Sequence, residues 1–383
     1  MKVLFFANRM PDLCGAFLHD IDLATELQRR GHQVVFLTIK VPPEGFNGGY
    51  YRGFRYMNYS AATSFLESSE VWICPHSPIL PDVRKINSRG YNRPIIATCH
   101  YDGSYTLIIG NIRGAEWKEM LFFINNVMEG NYRKNIAPWP SQIVRTEVVR
   151  PILHENQIVI REPFQGDCIT LINANQNKGV AVFADIARKL PQRKFLGVVP
   201  YYGEKTLPAI PSNVEWVTFD DDIRNILKRT RILLVPSFYE SFCRVAVEAM
   251  VNGIPVLYSK PAKQSPYPGG STEGIQSWIG DAAIPCNRDD PNEWVAAIES
   301  LDNEESYSAL GVKSKEHIAS MQLFTEAQRI SEMVETFQRQ NPVVIRSSAA
   351  PKESSRPQQP AAASQAAART GFGFSNGRLR IQR

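Results

Sequence analysis

No stretch of the 383 residues approaches the roughly 20 consecutive apolar residues of a membrane-spanning helix, so no such span is expected. The opening MKVLFFANRM is only briefly like a secretory leader, because its apolar run is short and stops at Asn8 and Arg9. Six cysteines (Cys14, Cys74, Cys99, Cys168, Cys243, Cys286) lie far apart, with no Cys-x-x-Cys pair and no histidine at zinc-finger spacing. Structural zinc and a disulfide framework are therefore not expected; a reduced, cytoplasmic protein is. No internal repeat of fixed period is present. Charge of one sign is scarce as well. The formal net charge is +5, yet residues 341–383 carry seven basic residues against one acid, Glu353, which leaves the rest of the chain at −1. A folded surface built to hold nucleic acid would carry its positive excess on the body, so any polyanion contact falls to the tail.

What the chain does have is an ordinary globular composition, 43% hydrophobic and 21% charged, at a length suited to two or three domains. Short apolar runs alternate with helical patterns. VLFFA (3–7) reads as a buried strand, Phe17, Ile21, Ala24 and Leu27 then recur at helical spacing, Gly31 caps that helix, and VVFLTI (34–39) is the next strand. VWIC (71–74) and PIIATC (94–99) follow, while prolines and glycines across 42–53 predict a loop. A second series starts at Cys168 with CITLIN, KFLGVV, VEWVTF, RILLVP and IPVLYS. The pattern predicts an α/β protein of two doubly wound, Rossmann-like domains facing across a cleft, each with its ligand crevice at the carboxyl ends of its strands. The expected boundaries are 1–150, a linker over 151–167, a second domain over 168–315, and a helix over 316–340 packing back on the body. No strand is predicted between 293 and 338. Residues 341–383, rich in Ser, Pro, Ala, Gln and Arg, are expected to be disordered. Their last stretch, GFGFSNGRLRIQR, is either a docking peptide for a partner or a solvated end.

The most informative segment is LLVPSFYESFCRVAVEAMVNGIPVLYS, which reads strand, loop, helix, glycine cap, strand. Glu240 falls on the loop and Glu248 about two turns into the helix, roughly 12 Å further along its axis at about 1.5 Å per residue. Between them the amides of Ser241, Phe242, Cys243 and Arg244 are expected to open the helix as an anion site, phosphate being the natural guest. Two carboxylates flanking a diphosphate can accept hydrogen bonds from hydroxyls at either end, which matches sugar, diphosphate and ribose. Glu248 sits among Val245, Ala246, Val247, Ala249 and Met250, where an unpaired carboxylate is costly. LINANQNKGV places Asn173, Lys178 and Gly179 after the first strand of the second domain, CGAFLH places Gly15 and His19 after the first strand of the chain, and PIIATCHYDG puts His100 at a strand end.

On these segments the chain resembles the retaining glycosyltransferases of the GT-B fold, family 4, and its pattern is most similar to glycosyltransferase-like proteins of tailed phages and some bacteria. The resemblance covers about residues 1–338. It implies that Glu240 contacts the donor sugar and Glu248 the nucleotide ribose, and that Lys178 grips the diphosphate. Asn173 stands where relatives carry an arginine, so Arg244 is expected to substitute. Ser241 and Cys243 stand where relatives carry glycines, and Cys14 replaces the first glycine of the pair that Gly15 completes. His100 is implied as a catalytic or sugar-positioning residue, with Asp102 a weaker candidate beside it. Tyr201, Tyr202 and Gly203, and the residues 216–219, are candidates for holding the base. The implied reaction moves a sugar from a nucleotide diphosphate sugar to an acceptor hydroxyl with retention. No cofactor and no metal are expected, since Asp220, Asp221 and Asp222 read as helix-capping acids. The acceptor is left open between a glycan, a protein and a modified DNA base, and the location would be the host cytoplasm if the chain is viral. An epimerase or phosphorylase of the same fold, or a non-catalytic nucleotide-sugar-binding module, are the rival readings.

Overall fold

The computed structural model describes residues 1–10, 14–40, 48–75, 78–103, 105–110, 112, 114–200, 211–261 and 272–343. The expected tail beyond 343 and the base-binding candidates Tyr201, Tyr202 and Gly203 lie outside the described residues.

Two sheets carry the fold. The first contains β1 (Lys2–Ala7), β2 (Gln33–Thr38), β3 (Gly49–Tyr51), β4 (Phe54–Asn58), β5 (Val71–Pro75), β6 (Ile95–Cys99), β7 (Glu119–Phe123) and β8 (Ile143–Val148), in the order β3-β4-β2-β1-β5-β6-β7-β8. The second contains β9 (Cys168–Leu171), β10 (Lys194–Val198), β11 (Val214–Val217), β12 (Thr230–Val235), β13 (Val256–Ser259) and β14 (Ile284–Cys286), in the order β11-β10-β9-β12-β13-β14. Every pairing is parallel except β3 with β4. The second order is that of a doubly wound sheet, whose strand order reverses between β9 and β12; a crevice opens at the carboxyl ends of such a pair. This is the GT-B arrangement of two Rossmann-like sheets.

Central strands such as β1, β6 and β12 are apolar runs buried on both faces, which is why they read clearly in the sequence. The strands that the sequence hid have particular reasons. Residues 49–51, expected in a loop, form the short antiparallel edge strand β3. β7 opens on a charge, Glu119, that is fully buried and neutralised by Arg84 from a neighbouring helix. β8 is a half-exposed edge strand of mixed polarity, and β14 has three residues with Pro285 at its centre. The boundary expected at 315 also moves: the helix Glu304–Ser320 runs through it.

The last helix, Glu326–Gln340, lies against the first helix, Gly15–Arg29, and so joins the end of the described chain to its beginning. Glu335 takes a bidentate pair from Arg30 at 2.7 and 2.9 Å and a hydrogen bond with His32 at 2.9 Å. The Arg30 hydrogen bonds, against the opposing effect of burial, hold the Glu335 carboxyl at about 2, well below its ordinary 4.5. A carboxyl depressed on folding stabilises the fold fully above its unfolded value and loses that contribution as pH falls through the folded one. The Tm difference between the wild type and Glu335→Gln is thus expected to be constant above about pH 4.5 and to close as pH falls towards 2. Thermal melts across that range check it, and a gap that stays open at the low end contradicts it.

Candidate active site

The site is assembled by two loops that leave β9 and β12 at the point where the strand order reverses. After β9 the chain turns through Asn173, at φ +64, and reaches Lys178 and Gly179. Gly179 adopts φ +79, and a Cβ there would lie 2.0 Å from the Pro236 carbonyl oxygen. No larger residue fits without moving backbone, so this glycine permits the β9 loop to press against the β12 loop. The Phe238 amide donates to the Asn177 carbonyl at 3.0 Å and ties the two together. As a result the Lys178 ammonium meets Glu240 Oε1 at 2.6 Å, and the Ser237 hydroxyl donates to the same oxygen at 2.6 Å. Burial pulls the Lys178 ammonium down, but the facing Glu240 carboxylate outweighs it and holds the group above its ordinary value.

The motif helix begins later than expected. It spans Arg244–Met250, so Ser241, Phe242 and Cys243 belong to the loop before it rather than to its first turn. Cys243 is its N-terminal flanking residue at φ +69 and ψ +74, a left-handed conformation that favours glycine. The helix closes as foreseen, with the Ile254 amide on the Ala249 carbonyl, the Gly253 amide on the Met250 carbonyl, and Gly253 at φ +74. The loop is braced from behind. Trp278 stacks on Phe242 at 4.8 Å and donates from its indole to the Phe242 carbonyl at 2.7 Å. Gly274 sits so close that a Cβ would meet the Ser241 carbonyl at 2.2 Å.

Glu248 is 5% exposed, and its partner is Arg244, one turn earlier: Arg244 Nε donates to Glu248 Oε1 at 2.8 Å. Arg244 Nη1 donates to Asp22 Oδ2 at 2.6 Å and to the Ile152 carbonyl at 3.1 Å. Among the described residues, Oε2 of Glu240, Oε2 of Glu248 and Nη2 of Arg244 have no protein partner.

Both acids and both cations line one cavity of about 590 Å³, whose walls also include Gly15, Asn173, Ser241, Phe242 and Cys243. The first half contributes Cys14, Arg52, His100 and Tyr101 to the same space. His100 stands at the carboxyl end of β6 and packs edge-on against His19, with ring centroids 5.3 Å apart. The residues that the sequence singled out for the sugar, diphosphate and ribose thus share one cavity, whereas of the base candidates 216–219 only Phe219 lines it and Trp216 packs against the core of the second half. Asp102 does something else: its carboxylate accepts from the Gly103 amide, the Tyr105 hydroxyl and the Asn131 amide, while its own amide donates to the Tyr239 hydroxyl at 3.0 Å. It builds the loop that carries Tyr101, whose ring lies 5.0 Å from that of Tyr239. Asp222 caps the helix Ile223–Leu227 by accepting from the Arg224 amide.

Three residues were missed: Ser237, Tyr239 and Asp22. Of these only Asp22 left a signal, an acid three residues after His19 and so on the same face of the first helix.

Comparison with known proteins bears on the same region. The family described as Glycosyl transferases group 1 matches residues 209–317. A curated relative, D-inositol 3-phosphate glycosyltransferase from Corynebacterium kroppenstedtii, is 29% identical over 125 residues, which is 32% of this chain and 26% of the relative. A second protein of that name, from Corynebacterium diphtheriae, is 26% identical over 29% of this chain and 24% of its own. The matches therefore span about a quarter of the length of these curated relatives. Among solved structures, sucrose-phosphate synthase from Thermosynechococcus elongatus superposes with a TM-score of 0.65 at 15% identity, covering 88% of this chain and 98% of that one. A glycosyltransferase from Rickettsia africae gives the same TM-score at 12% identity over the same shares. The chain has the GT-B fold of glycosyltransferases, and the group 1 family match falls on the half that holds Glu240 and Glu248.

Proposed function

We propose that this protein transfers a glycosyl group from a nucleotide diphosphate sugar to an acceptor hydroxyl, with retention at the anomeric carbon and without a metal ion. One observation carries the reading: two carboxylate–cation pairs, Glu240 with Lys178 and Glu248 with Arg244, line a single cavity at the point where the order of the second sheet reverses. Each carboxylate uses Oε1 on its cation and keeps Oε2 for a hydroxyl. Glu240 would hold the donor sugar and Glu248 the ribose, while Lys178 and the remaining nitrogen of Arg244 would face the diphosphate between them.

As the anomeric C–O bond breaks, its electron pair passes to the diphosphate, and these preorganised cations stabilise the charge that develops there. The acceptor oxygen bonds the anomeric carbon on the same face, and its proton passes to the departing phosphate oxygen. That route needs no dedicated base. His100, on the opposite wall, would steady the sugar while bond order at the anomeric carbon is low.

A panel of uridine, guanosine, adenosine and thymidine diphosphate sugars, screened by thermal shift, is expected to yield one that raises Tm with concentration. That donor should then be hydrolysed slowly without acceptor, and the released sugar should keep the donor's anomeric configuration by NMR. A donor that binds yet is never cleaved or transferred would leave a binding module, and interconversion of one nucleotide sugar into another would make the protein an epimerase.

A further inference from the structure

Asp22 is absent from the cavity wall, yet it is bonded to a residue that forms it. It lies on the first helix, is 1% exposed, and reaches across to the second half of the molecule to hold Arg244. We propose that Asp22 is a positioning residue for the nucleotide ribose: it orients Arg244, and through Arg244 the carboxylate of Glu248. The assignment rests on the donor reading above and adds to it a residue that does not itself touch the donor.

The geometry follows from helix periodicity and from the shape of the guanidinium. His19 and Asp22 are three residues apart and so share a face of the first helix. The backbone of Ile152 is held on both sides, by this face and by Arg244. His19 Nδ1 accepts from the Ile152 amide at 3.3 Å, while the Ile152 carbonyl accepts from Arg244 at 3.1 Å. With Asp22 at 2.6 Å, Arg244 Nη1 is therefore held by two oxygens, one on the first helix and one on the segment that joins the two halves. A guanidinium is rigid and planar, so fixing Nη1 fixes the direction of Nε. Glu248 Oε1 must lie along that direction, at 2.8 Å, which sets where Oε2 stands.

The surroundings suit this role. His19 is fully buried, and burial together with the Arg244 charge lowers it to about 3, so the ring beside the guanidinium is neutral and adds no repulsion. His154 Nε2 lies 3.7 Å from Asp22 Oδ1, which leaves Oδ2 for Arg244. Without Asp22 the guanidinium keeps the carbonyl and Glu248, but one carbonyl does not define its plane, and Glu248 gains freedom to swing. Diphosphate binding is expected to change little, because Lys178 and the loop are untouched and Arg244 keeps its charge and its bond to the Ile152 carbonyl.

The test separates ribose recognition from everything else. UDP, GDP and ADP are each titrated into the full-length protein by calorimetry, alongside their 2′,3′-dideoxy analogues. For the preferred base, the wild type is expected to favour the ribose form by about 10- to 100-fold, the range for hydrogen bonds to a charged group. Asp22→Asn should cut that ratio to about threefold or less while the dideoxy form binds within about twofold of its wild-type affinity, a signature that a merely structural role does not produce. Asp22→Glu, which keeps the charge, should restore part of the ratio. In an Arg244→Leu background, Asp22→Asn should change the ratio no further, because its only route to Glu248 is gone; this double variant also buries no unpaired guanidinium if the single one folds poorly. An unaltered ratio in Asp22→Asn, or equal weakening of both ligands, overturns the assignment of Asp22 while the donor reading stands. Failure of the wild type to bind any of the three diphosphates, or thymidine diphosphate, overturns that reading and this assignment together.

Discussion

Glu240→Gln is expected to lower kcat for glycosyl transfer by about 10²- to 10³-fold, the usual cost of removing one preorganised electrostatic contact. The amide keeps the side chain's size and can still accept from Ser237 at the Oε1 position. It replaces the second oxygen, an acceptor for a sugar hydroxyl, by an N–H donor. It also strips Lys178 of the charge that holds its ammonium above the ordinary value. The released lysine then has the diphosphate alone to pair with, so donor KM should stay level or fall while kcat drops. A fall in kcat without a rise in KM distinguishes loss of sugar positioning from loss of folding, which would spare neither. Steady-state kinetics with the donor identified by thermal shift, together with a melting curve of the variant, provide the check. Transfer within threefold of the wild type would sink the role of Glu240.

The largest stability effect is expected far from the site. Arg84 and Glu119 are both completely buried and paired through two hydrogen bonds at 2.8 and 2.6 Å. The remaining groups are satisfied too: Trp117 donates its indole N–H to Glu119 at 2.8 Å, and Arg84 donates to the Leu107 and Gly110 carbonyls. Arg84→Met leaves a carboxylate in the core with one indole N–H for company. Breaking such a pair from one side costs about 3–5 kcal/mol, so urea midpoints should fall accordingly. The double variant Arg84→Met with Glu119→Leu removes both charges and should recover most of the loss. A single variant within about 1 kcal/mol of the wild type would mean that water or a local rearrangement compensates the carboxylate.

The strong parallel strands were legible because burial on both faces leaves no room for polar residues, and the motif helix because an acid recurs inside an apolar run with a glycine after it. β7 was not legible for a related reason: its opening residue, Glu119, looks like a surface charge until Arg84 is brought to it from 35 positions earlier. The start of the motif helix was placed too early because the left-handed Cys243 breaks it, and no side chain announces a φ of +69. Edge strands β3, β8 and β14 are too short or too mixed in polarity to give a period.

The candidate site divides in the same way. Local pattern named Glu240, Glu248 and His100, since each lies at a strand end or on a helix whose identity the neighbouring residues establish, while the family resemblance pointed to Lys178 and Arg244. Arg244 and Glu248 pair one turn apart on the same helix, but the other partners of the two cations were not a local matter. Lys178 meets Glu240 across 62 residues, through a glycine contact at Pro236, and Arg244 meets Asp22 across 222. Chain order thus settles the type of each element, because backbone hydrogen bonds and the burial of one face act over a few residues. Charge pairing between residues distant in the chain is settled by the folded packing, because a buried ion takes the nearest opposite charge in space, wherever in the chain that charge began.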